Sequence, residues 1–204
     1  MTDVLIPGGR DVRGTLEEPA DDPRAIVVAC PPHPQQGGSR SDRRLVAVSG
    51  VLVDAEIACL RFDYGPWDEG RGEREDVRNA VRWAREWGSD ERLPVGVFGY
   101  SFGATLALLA SADADPDAVA VLAPTVELGE DLDALAALSV LEVPVHVLSG
   151  ERDTTVDWEP IVERARERGD AVTALSGDHF FGGEHDEIAG AVGGFFERTL
   201  LESV

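Results

Sequence analysis

The stretch Val95-Gly-Val-Phe-Gly-Tyr-Ser-Phe-Gly-Ala104 decides the fold, because a β-type apolar run changes into a helical pattern within it. Val95 to Gly99 is predicted to be a buried strand, and helical residues follow Ser101 directly. In a sharp turn at this serine, the backbone crowds the residues two before and two after it. Both positions, Gly99 and Gly103, must therefore lack bulky side chains. The pattern is typical of a nucleophile elbow, which presents a serine hydroxyl at the N-terminus of a helix.

Short apolar runs alternate with helical stripes on both sides of this turn. Further buried strands are predicted at Ala25 to Cys30, Ala58 to Phe62, Ala118 to Leu122, Val143 to Leu148 and Val172 to Leu175. Because these runs do not alternate with polar residues, they indicate strands of a parallel sheet with both faces covered. At the N-terminus, Val4 to Ile6 and Val12 to Glu17 flank Pro7-Gly8-Gly9. They predict an antiparallel hairpin at the edge of the sheet.

Apolar residues at helical spacing predict the helices that cover the sheet. The stripes are Leu45, Val48 and Leu52; Val77, Ala80, Val81, Ala84 and Trp87; Trp158, Ile161, Val162 and Ala165; and Ile188, Val192, Phe195 and Phe196. Between Leu122 and Val143 there is room for one short helix, near Asp131 to Leu138, and no large lid domain. The expected fold class is α/β, with a mostly parallel twisted sheet and helices on both faces. One domain is expected over residues 1–204.

The charge of the chain argues against several classes of partner. Among 204 residues, 39 are acidic and 18 are basic, all of them arginine, so the formal net charge is −21. Such a surface repels nucleic acid and anionic lipid. The apolar runs fall short of the ~20 residues of a membrane-spanning helix, and the N-terminus has no signal-peptide pattern. Cys30 and Cys59 lie within apolar runs and are interpreted as reduced core thiols. We therefore expect a cytoplasmic monomer or small homo-oligomer.

The acidity has two interpretations, a halophile's strongly hydrated surface or an ordinary acidic protein. The absence of lysine favours the halophilic one, although a GC-rich coding sequence also favours arginine over lysine.

A serine hydroxyl needs a base to remove its proton and a third group to orient that base. Asp153 follows the strand that ends at Leu148, and His179 follows the strand that ends at Leu175. Both strand ends lie at the edge where open parallel sheets gather their ligand-facing residues. The chain order Ser101, Asp153, His179 fits this arrangement. Other residues compete for the two roles: Asp157, Asp178 and Glu127 for the acid, and His185 for the base. The mid-strand His146 is interpreted as a core residue.

With these residues in place, the chain resembles the α/β-hydrolase superfamily, and within it the small, nearly lidless enzymes similar to dienelactone hydrolase. The resemblance runs from about Ala25 to Leu200. The segment Pro31-Pro-His-Pro-Gln-Gln-Gly-Gly38 looks like the His-Pro-His-Pro-x-x-Gly-Gly loop of one such group, with Pro31 in place of the first histidine. The resemblance implies an oxyanion hole formed by the amides of Phe102 and Gln35, since Pro34 has no N–H to donate.

The expected activity is hydrolysis of a small ester, thioester or related acyl bond, in which Ser101 attacks, His179 transfers the proton and Asp153 orients the imidazole. Transfer of the acyl group to an acceptor other than water, or a hydrolase-like binding protein without activity, are the alternatives. Candidate residues for the substrate-binding wall are His33, Tyr64, Trp67 and Phe180. The sequence has no metal-ligand spacing and no nucleotide fingerprint, so neither a metal nor another cofactor is expected.

Overall fold

Within residues 1–88, 92–129 and 131–202, which the computed structural model describes, eight strands form one sheet. They are β1 (Thr2–Ile6), β2 (Val12–Glu17), β3 (Ala25–Cys30), β4 (Ile57–Asp63), β5 (Val95–Tyr100), β6 (Ala118–Leu122), β7 (Val145–Gly150) and β8 (Ala171–Leu175). The order across the sheet is β1-β2-β4-β3-β5-β6-β7-β8. The β1–β2 and β2–β4 pairs are antiparallel and all the others are parallel. The mostly parallel sheet and its antiparallel N-terminal hairpin confirm the prediction.

In the described part of the chain, five α-helices connect successive strands and a sixth follows β8. They are α1 (Arg43–Asp54), α2 (Arg71–Glu86), α3 (Phe102–Ala114), α4 (Ala134–Val140), α5 (Glu159–Arg168) and α6 (His185–Phe196). A 3₁₀ turn spans Pro34–Gln36, and a π-helical turn at Glu197–Leu201 continues α6. The segment between β6 and β7 holds only the seven-residue α4 among its described residues. A large lid is therefore absent from that segment, as predicted.

The helices pack on both faces of the sheet because its central strands are buried on both sides. Every residue of β3, β5, β6 and β7 is buried. On one face, side chains such as Val28, Val77 and Leu106 form a core with α2 to α5. On the other face, side chains such as Val27 pack with α1 and α6. The helix α3 is apolar on all sides and is buried from Phe102 to Ser111.

The last strand differs from the prediction. Val172 to Leu175 was expected to be buried, but in β8 only Leu175 is buried and Ala171 and Ala174 are exposed. The run is short, and β8 lies at the edge of the sheet, where only β7 pairs with it. An unbroken run of small apolar residues does not distinguish a central strand from an edge strand, because neighbours in space decide its burial.

The two cysteines are free and buried. Cys30 belongs to the core on one face of the sheet and Cys59 to the core on the other face. Their side chains therefore point in opposite directions, which agrees with their interpretation as core thiols. None of the described helices is both long enough and apolar enough to span a bilayer.

Candidate active site

Ser101 lies in the tight turn between β5 and α3, as the sequence predicts. Its backbone adopts φ 55° and ψ −118°, which is strained for a residue with a side chain. A Cβ atom on Gly99 would clash with the carbonyl of Gly103, and one on Gly103 would clash with the carbonyls of Cys30 and Pro31. The turn thus requires glycine at both positions, for the steric reason anticipated from the sequence.

The structure brings Ser101, His179 and Asp153 into one hydrogen-bonded chain. Ser101 Oγ lies 2.9 Å from Nε2 of His179, and His179 Nδ1 lies 2.7 Å from Oδ2 of Asp153. The side chain of Asp153 is fully buried and that of His179 is nearly so. Because a carboxylate only accepts hydrogen bonds, the geometry favours the imidazole tautomer with its proton on Nδ1. Nε2 is then free to accept the serine proton.

Asp153 is fixed by its own local turn. Its second oxygen, Oδ1, accepts the amide of Thr155 at 2.8 Å, and its carbonyl accepts the indole N–H of Trp158 at 3.1 Å. These contacts leave Oδ2 to face His179.

The competing acidic residues do not take the place of Asp153 beside His179. Asp178 accepts the amide of Phe180 at 3.0 Å. Glu127 pairs with Asp133 through the backbone. Asp157 is exposed in the turn before α5.

His185, the competing base, and His146, interpreted as a core residue, lie outside the hydrogen-bonded chain of Ser101, His179 and Asp153. His185 is the first residue of α6. His146 is buried within β7, 2.9 Å from the hydroxyl of Thr173. Burial and, to a smaller extent, the charge of Arg198 together lower the pKa of His146 to about 4.

The N-terminus of α3 supplies a hydrogen-bond donor beside the serine. The carbonyl of Ser101 accepts the amides of Ala104 at 2.9 Å and Thr105 at 3.1 Å. The amide of Phe102 precedes them and has no carbonyl within the helix to bond. It is therefore oriented for an anion at the helix N-terminus, where the helix dipole also favours negative charge.

The loop after β3 carries the other expected donor. The amide of Gln35 donates to Nδ1 of His33 at 3.3 Å, at the start of the 3₁₀ turn. This bond makes Nδ1 of His33 an acceptor and leaves the proton of the neutral ring on Nε2. Burial lowers the pKa of His33, against a smaller raising effect of Glu73, so the neutral form is favoured. In this structure the Gln35 amide is thus engaged within its own loop.

A cavity of about 220 Å³ opens next to Ser101. Its described lining consists of Pro32, His33, Gln36, Gly37, Gly38, Asp42, Arg44, Tyr100, Ser101, His179 and Phe180. Two of the four predicted wall residues, His33 and Phe180, belong to this lining, and Phe180 is 66% exposed.

The other two predicted wall residues pack beside the cavity and do not belong to its described lining. The ring of Trp67 lies 4.7 Å from that of His33 and 5.8 Å from that of Phe102. Tyr64 packs edge-on against Phe102, and its hydroxyl donates to the carbonyl of Pro31 at 3.0 Å. Trp67 therefore extends the apolar side of the site, whereas Tyr64 supports it from beneath.

Sequence reasoning did not identify three of the cavity residues, Asp42, Arg44 and Tyr100. Tyr100 is the variable residue of the Gly-x-Ser-x-Gly pattern, and Asp42 is the N-cap of α1, a position that carries no sign of a role in a cavity. An arginine two residues after a helix N-cap aspartate gives no signal by itself, because its partners are far away along the chain. In the described part of the chain, no three His, Cys, Asp or Glu side chains cluster as a metal site requires.

Comparison with solved structures identifies the architecture. An α/β serine hydrolase homologue from Coxiella burnetii superposes with a TM-score of 0.81 at 22% identity, over 95% of this chain and 96% of that one. A lidless α/β serine hydrolase from Xanthomonas campestris gives a TM-score of 0.79 at 21% identity, over 98% and 95%. This chain has the α/β-hydrolase fold.

A dienelactone hydrolase from Anabaena variabilis shares the α/β-hydrolase fold, with a TM-score of 0.79 at 22% identity over 98% of this chain and 97% of that one. No protein-family model and no curated protein sequence matches the chain. The α/β-hydrolase fold explains why residues far apart in sequence meet here. The carboxyl ends of β5, β7 and β8 open at the same edge of the sheet, and each is followed by one of Ser101, Asp153 and His179.

Proposed function

We propose that this protein is a serine hydrolase that cleaves a small ester, thioester or related acyl bond through an acyl-enzyme. The observation that supports the proposal is the continuous chain from Ser101 Oγ through His179 to Asp153, with separations of 2.9 and 2.7 Å. A strained serine turn is costly to fold, and a binding protein would need neither the strain nor the buried acid and base.

In the first half of the reaction, Oγ of Ser101 attacks the acyl carbonyl while its proton moves to Nε2 of His179. Asp153 holds the imidazole in the correct tautomer and stabilises the imidazolium that forms. The amide of Phe102 donates to the oxyanion of the tetrahedral intermediate. Collapse of the intermediate breaks the bond to the leaving group, which takes the proton from His179. The acyl group stays on Ser101 as an ester.

In the second half, water attacks the acyl-enzyme and gives a proton to His179. Collapse of this second intermediate breaks the bond to Oγ of Ser101 and releases the acid, and the proton passes from His179 to Oγ, which restores the serine. The amide of Gln35 is the proposed second oxyanion donor. Its 3.3 Å bond to His33 is long, and an oxyanion is a stronger acceptor than a neutral imidazole nitrogen. Loss of one such donor costs a serine hydrolase about 3 kcal/mol in transition-state stabilisation, so the position of this loop matters to the rate.

Labelling with a fluorophosphonate tests the proposal directly. The reagent phosphonylates only an activated serine, and mass spectrometry locates the adduct. We expect labelling at Ser101 in the wild-type protein and its loss in His179→Ala. His185→Ala is the matched control, since it removes a histidine outside the hydrogen-bonded chain and should leave labelling intact. A folded wild-type protein that is not labelled in dilute or in molar salt would favour the non-catalytic alternative.

We further propose that the acidic surface is adapted to high salt and that the protein acts in the cytoplasm. A net charge of −21 makes the folded state repel itself, and molar salt shortens the screening length to about 3 Å. The two free, buried cysteines accord with a reducing compartment. We expect the melting temperature to rise from dilute buffer to molar KCl. An unchanged melting temperature would contradict the halophilic interpretation.

A further inference from the structure

The loop that carries His179 needs external support. It runs from Ser176 to Glu184, after the edge strand β8 and before α6. Since only Leu175 of β8 is fully buried and the strand lies at the edge of the sheet, the loop does not inherit the rigidity of a central strand. Nevertheless Nε2 of His179 must stay within hydrogen-bond distance of Ser101, because proton transfer depends steeply on that geometry.

Two side chains from other elements hold consecutive carbonyls of this loop. The hydroxyl of Tyr100, at the end of β5, donates to the carbonyl of His179 at 2.8 Å. The Nη1 group of Arg44, in the first turn of α1, donates to the carbonyl of Phe180 at 2.7 Å. Burial raises the pKa of Tyr100 to about 12, so its hydroxyl keeps the proton that it donates. The loop is thus attached to both β5 and α1 beside the imidazole.

Arg44 is itself held in a fixed orientation. Asp42, the N-cap of α1, accepts Nε of Arg44 at 2.8 Å and also its Nη2. The guanidinium carbon lies 4.2 Å from the centre of the Tyr100 ring, in a cation–π contact. Burial disfavours the charge on Arg44, but Asp42 outweighs it and raises the pKa of the guanidinium. A guanidinium that is held by a two-point ion pair and packs on an aromatic ring has little freedom to move, so its hydrogen bond to the loop is fixed in direction.

We propose that Arg44 is a positioning residue that fixes the His179 imidazole against Ser101, by holding the carbonyl of Phe180 and by packing on Tyr100. The inference rests on the proposed function and deepens it. Arg44 needs no contact with the reacting atoms for this role, since it acts through the backbone next to the base. Its side chain is 16% exposed and its charge is paired with Asp42. We therefore expect its removal to lower the rate of proton transfer rather than substrate affinity.

The test compares Arg44→Met with Arg43→Met. Methionine keeps much of the side-chain volume and removes the donor, and Arg43 is an exposed neighbour on the same helix. We expect Arg44→Met to lower kcat and the rate of fluorophosphonate labelling about 10- to 100-fold, with KM within about twofold of wild type. Arg44→Lys should recover part of the loss, because a lysine keeps the charge but not the forked geometry. Arg43→Met should match the wild type.

A second readout does not depend on turnover. The Nδ1 proton shared by His179 and Asp153 gives a downfield proton resonance, and we expect it to broaden or shift in Arg44→Met and to stay unchanged in Arg43→Met. If Arg44→Met does not give the circular dichroism spectrum of a folded protein, Arg44→Lys is compared in the same way.

The outcomes separate the two proposals. If the wild-type protein is not labelled, the proposed function fails, while the proton resonance still reports on the position of His179. If the wild type is labelled, but Arg44→Met keeps both the wild-type kcat and the wild-type resonance, the role of Arg44 is wrong. An increase in KM with unchanged kcat would also overturn it, since that pattern identifies a substrate contact.

Discussion

Two loops reach the candidate active site from opposite sides of β5, and they differ in the kind of hydrogen bond that most of their backbone contacts use. The loop from Tyr64 to Gly70, between β4 and α2, has its amides held by buried carboxylates. The loop with His179, between β8 and α6, has its carbonyls held by donors. The first loop contributes Trp67 beside the cavity and the second contributes the proposed base. The two loops differ in how far away along the chain their hydrogen-bond partners lie. This distance decides whether a loop is shaped by its own neighbourhood or by the assembled sheet.

The β4–α2 loop obtains most of its support from the helix that follows it, and one further bond comes from Arg10, whose Nη2 donates to the carbonyl of Pro66 at 2.6 Å. Glu73 accepts the amides of Asp68 and Gly70, both at 2.8 Å, from five and three residues away. Asp76 accepts the amide of Gly65 at 2.9 Å from eleven residues away. Both carboxylates are fully buried. Burial raises the pKa of Asp76, against the lowering effects of its bonds to Arg10 and Gly65.

The β8–α6 loop obtains its support from distant parts of the chain. Tyr100 is 79 residues from the carbonyl of His179, and Arg44 is 136 residues from that of Phe180. The main chain and side chain of Arg152 also donate to this region, to the carbonyls of Gly177 at 3.0 Å and Ser176 at 2.7 Å. The position of the base therefore depends on the assembled sheet, whereas the β4–α2 loop is shaped mostly by its own neighbourhood.

The largest expected effect is a loss of kcat, and it comes from a substitution of Asp153, the partner of the proposed base His179. We expect Asp153→Asn to lower kcat by about 10⁴-fold, equivalent to about 5 kcal/mol, because an amide favours the wrong imidazole tautomer. Steady-state kinetics on an ester that the wild type cleaves would measure it. Asp157→Asn, an exposed neighbour, is the control and should change kcat little. A loss below tenfold in Asp153→Asn would mean that another acid orients His179.

The next largest effect lies on the other loop and concerns stability. We expect Asp76→Asn to lower the free energy of unfolding by about 4 kcal/mol, because it leaves Arg10 without its ion-pair partner and places an amide where two donors converge. Denaturant unfolding measures this. Glu69→Gln, at an exposed position, should change it by less than about 0.5 kcal/mol. If Asp76→Asn lowered kcat as much as Asp153→Asn does, the β4–α2 loop would matter to the reaction as well as to stability. The distinction between the two loops would then be wrong.

His146, a buried histidine outside both loops, gives a third and smaller effect, which concerns the pH dependence of stability. The pKa of His146 is lowered from 6.5 to about 4 by burial and by Arg198, so the unfolded chain binds more protons than the folded one between these values. The contribution is fully present above pH ~6.5 and is lost as the pH falls toward ~4, about 3 kcal/mol in all. Between pH ~6.5 and ~4, the free energy of unfolding should therefore change less steeply with pH for His146→Gln than for the wild type. Equal slopes would exclude His146 as the source.

The smallest effect concerns Trp67 on the β4–α2 loop. The side chain is 38% exposed and stacks beside His33, so it is available to an apolar part of a substrate. We expect Trp67→Ala to raise KM about fivefold, near 1 kcal/mol, and to leave kcat unchanged. Trp87→Ala, at the far end of α2, is the control. A fall in kcat at constant KM would instead assign Trp67 to the support of the His33 loop.

Much of this architecture was predictable because it depends on local patterns. The turn at Ser101 follows from the glycines on either side, and the strand and helix positions follow from apolar periodicity. The candidate acid and base could be located from the sequence because parallel strands bring their carboxyl ends to one edge, and Asp153 and His179 each follow a strand end. The roles of Gln35 and of the four wall residues stay predictions for experiment.

The sequence by itself determined the α/β alternation, the strained serine turn and the chain order of Ser101, Asp153 and His179, since each is a property of neighbouring residues. Only the tertiary structure decided that β8 is an exposed edge strand, that Tyr64 lies beneath the site, and that Arg44 and Tyr100 hold the loop of the base. These facts depend on which segments become neighbours in space. A hydrogen bond across 136 residues leaves no periodic trace in the sequence, because nothing in its local context requires it.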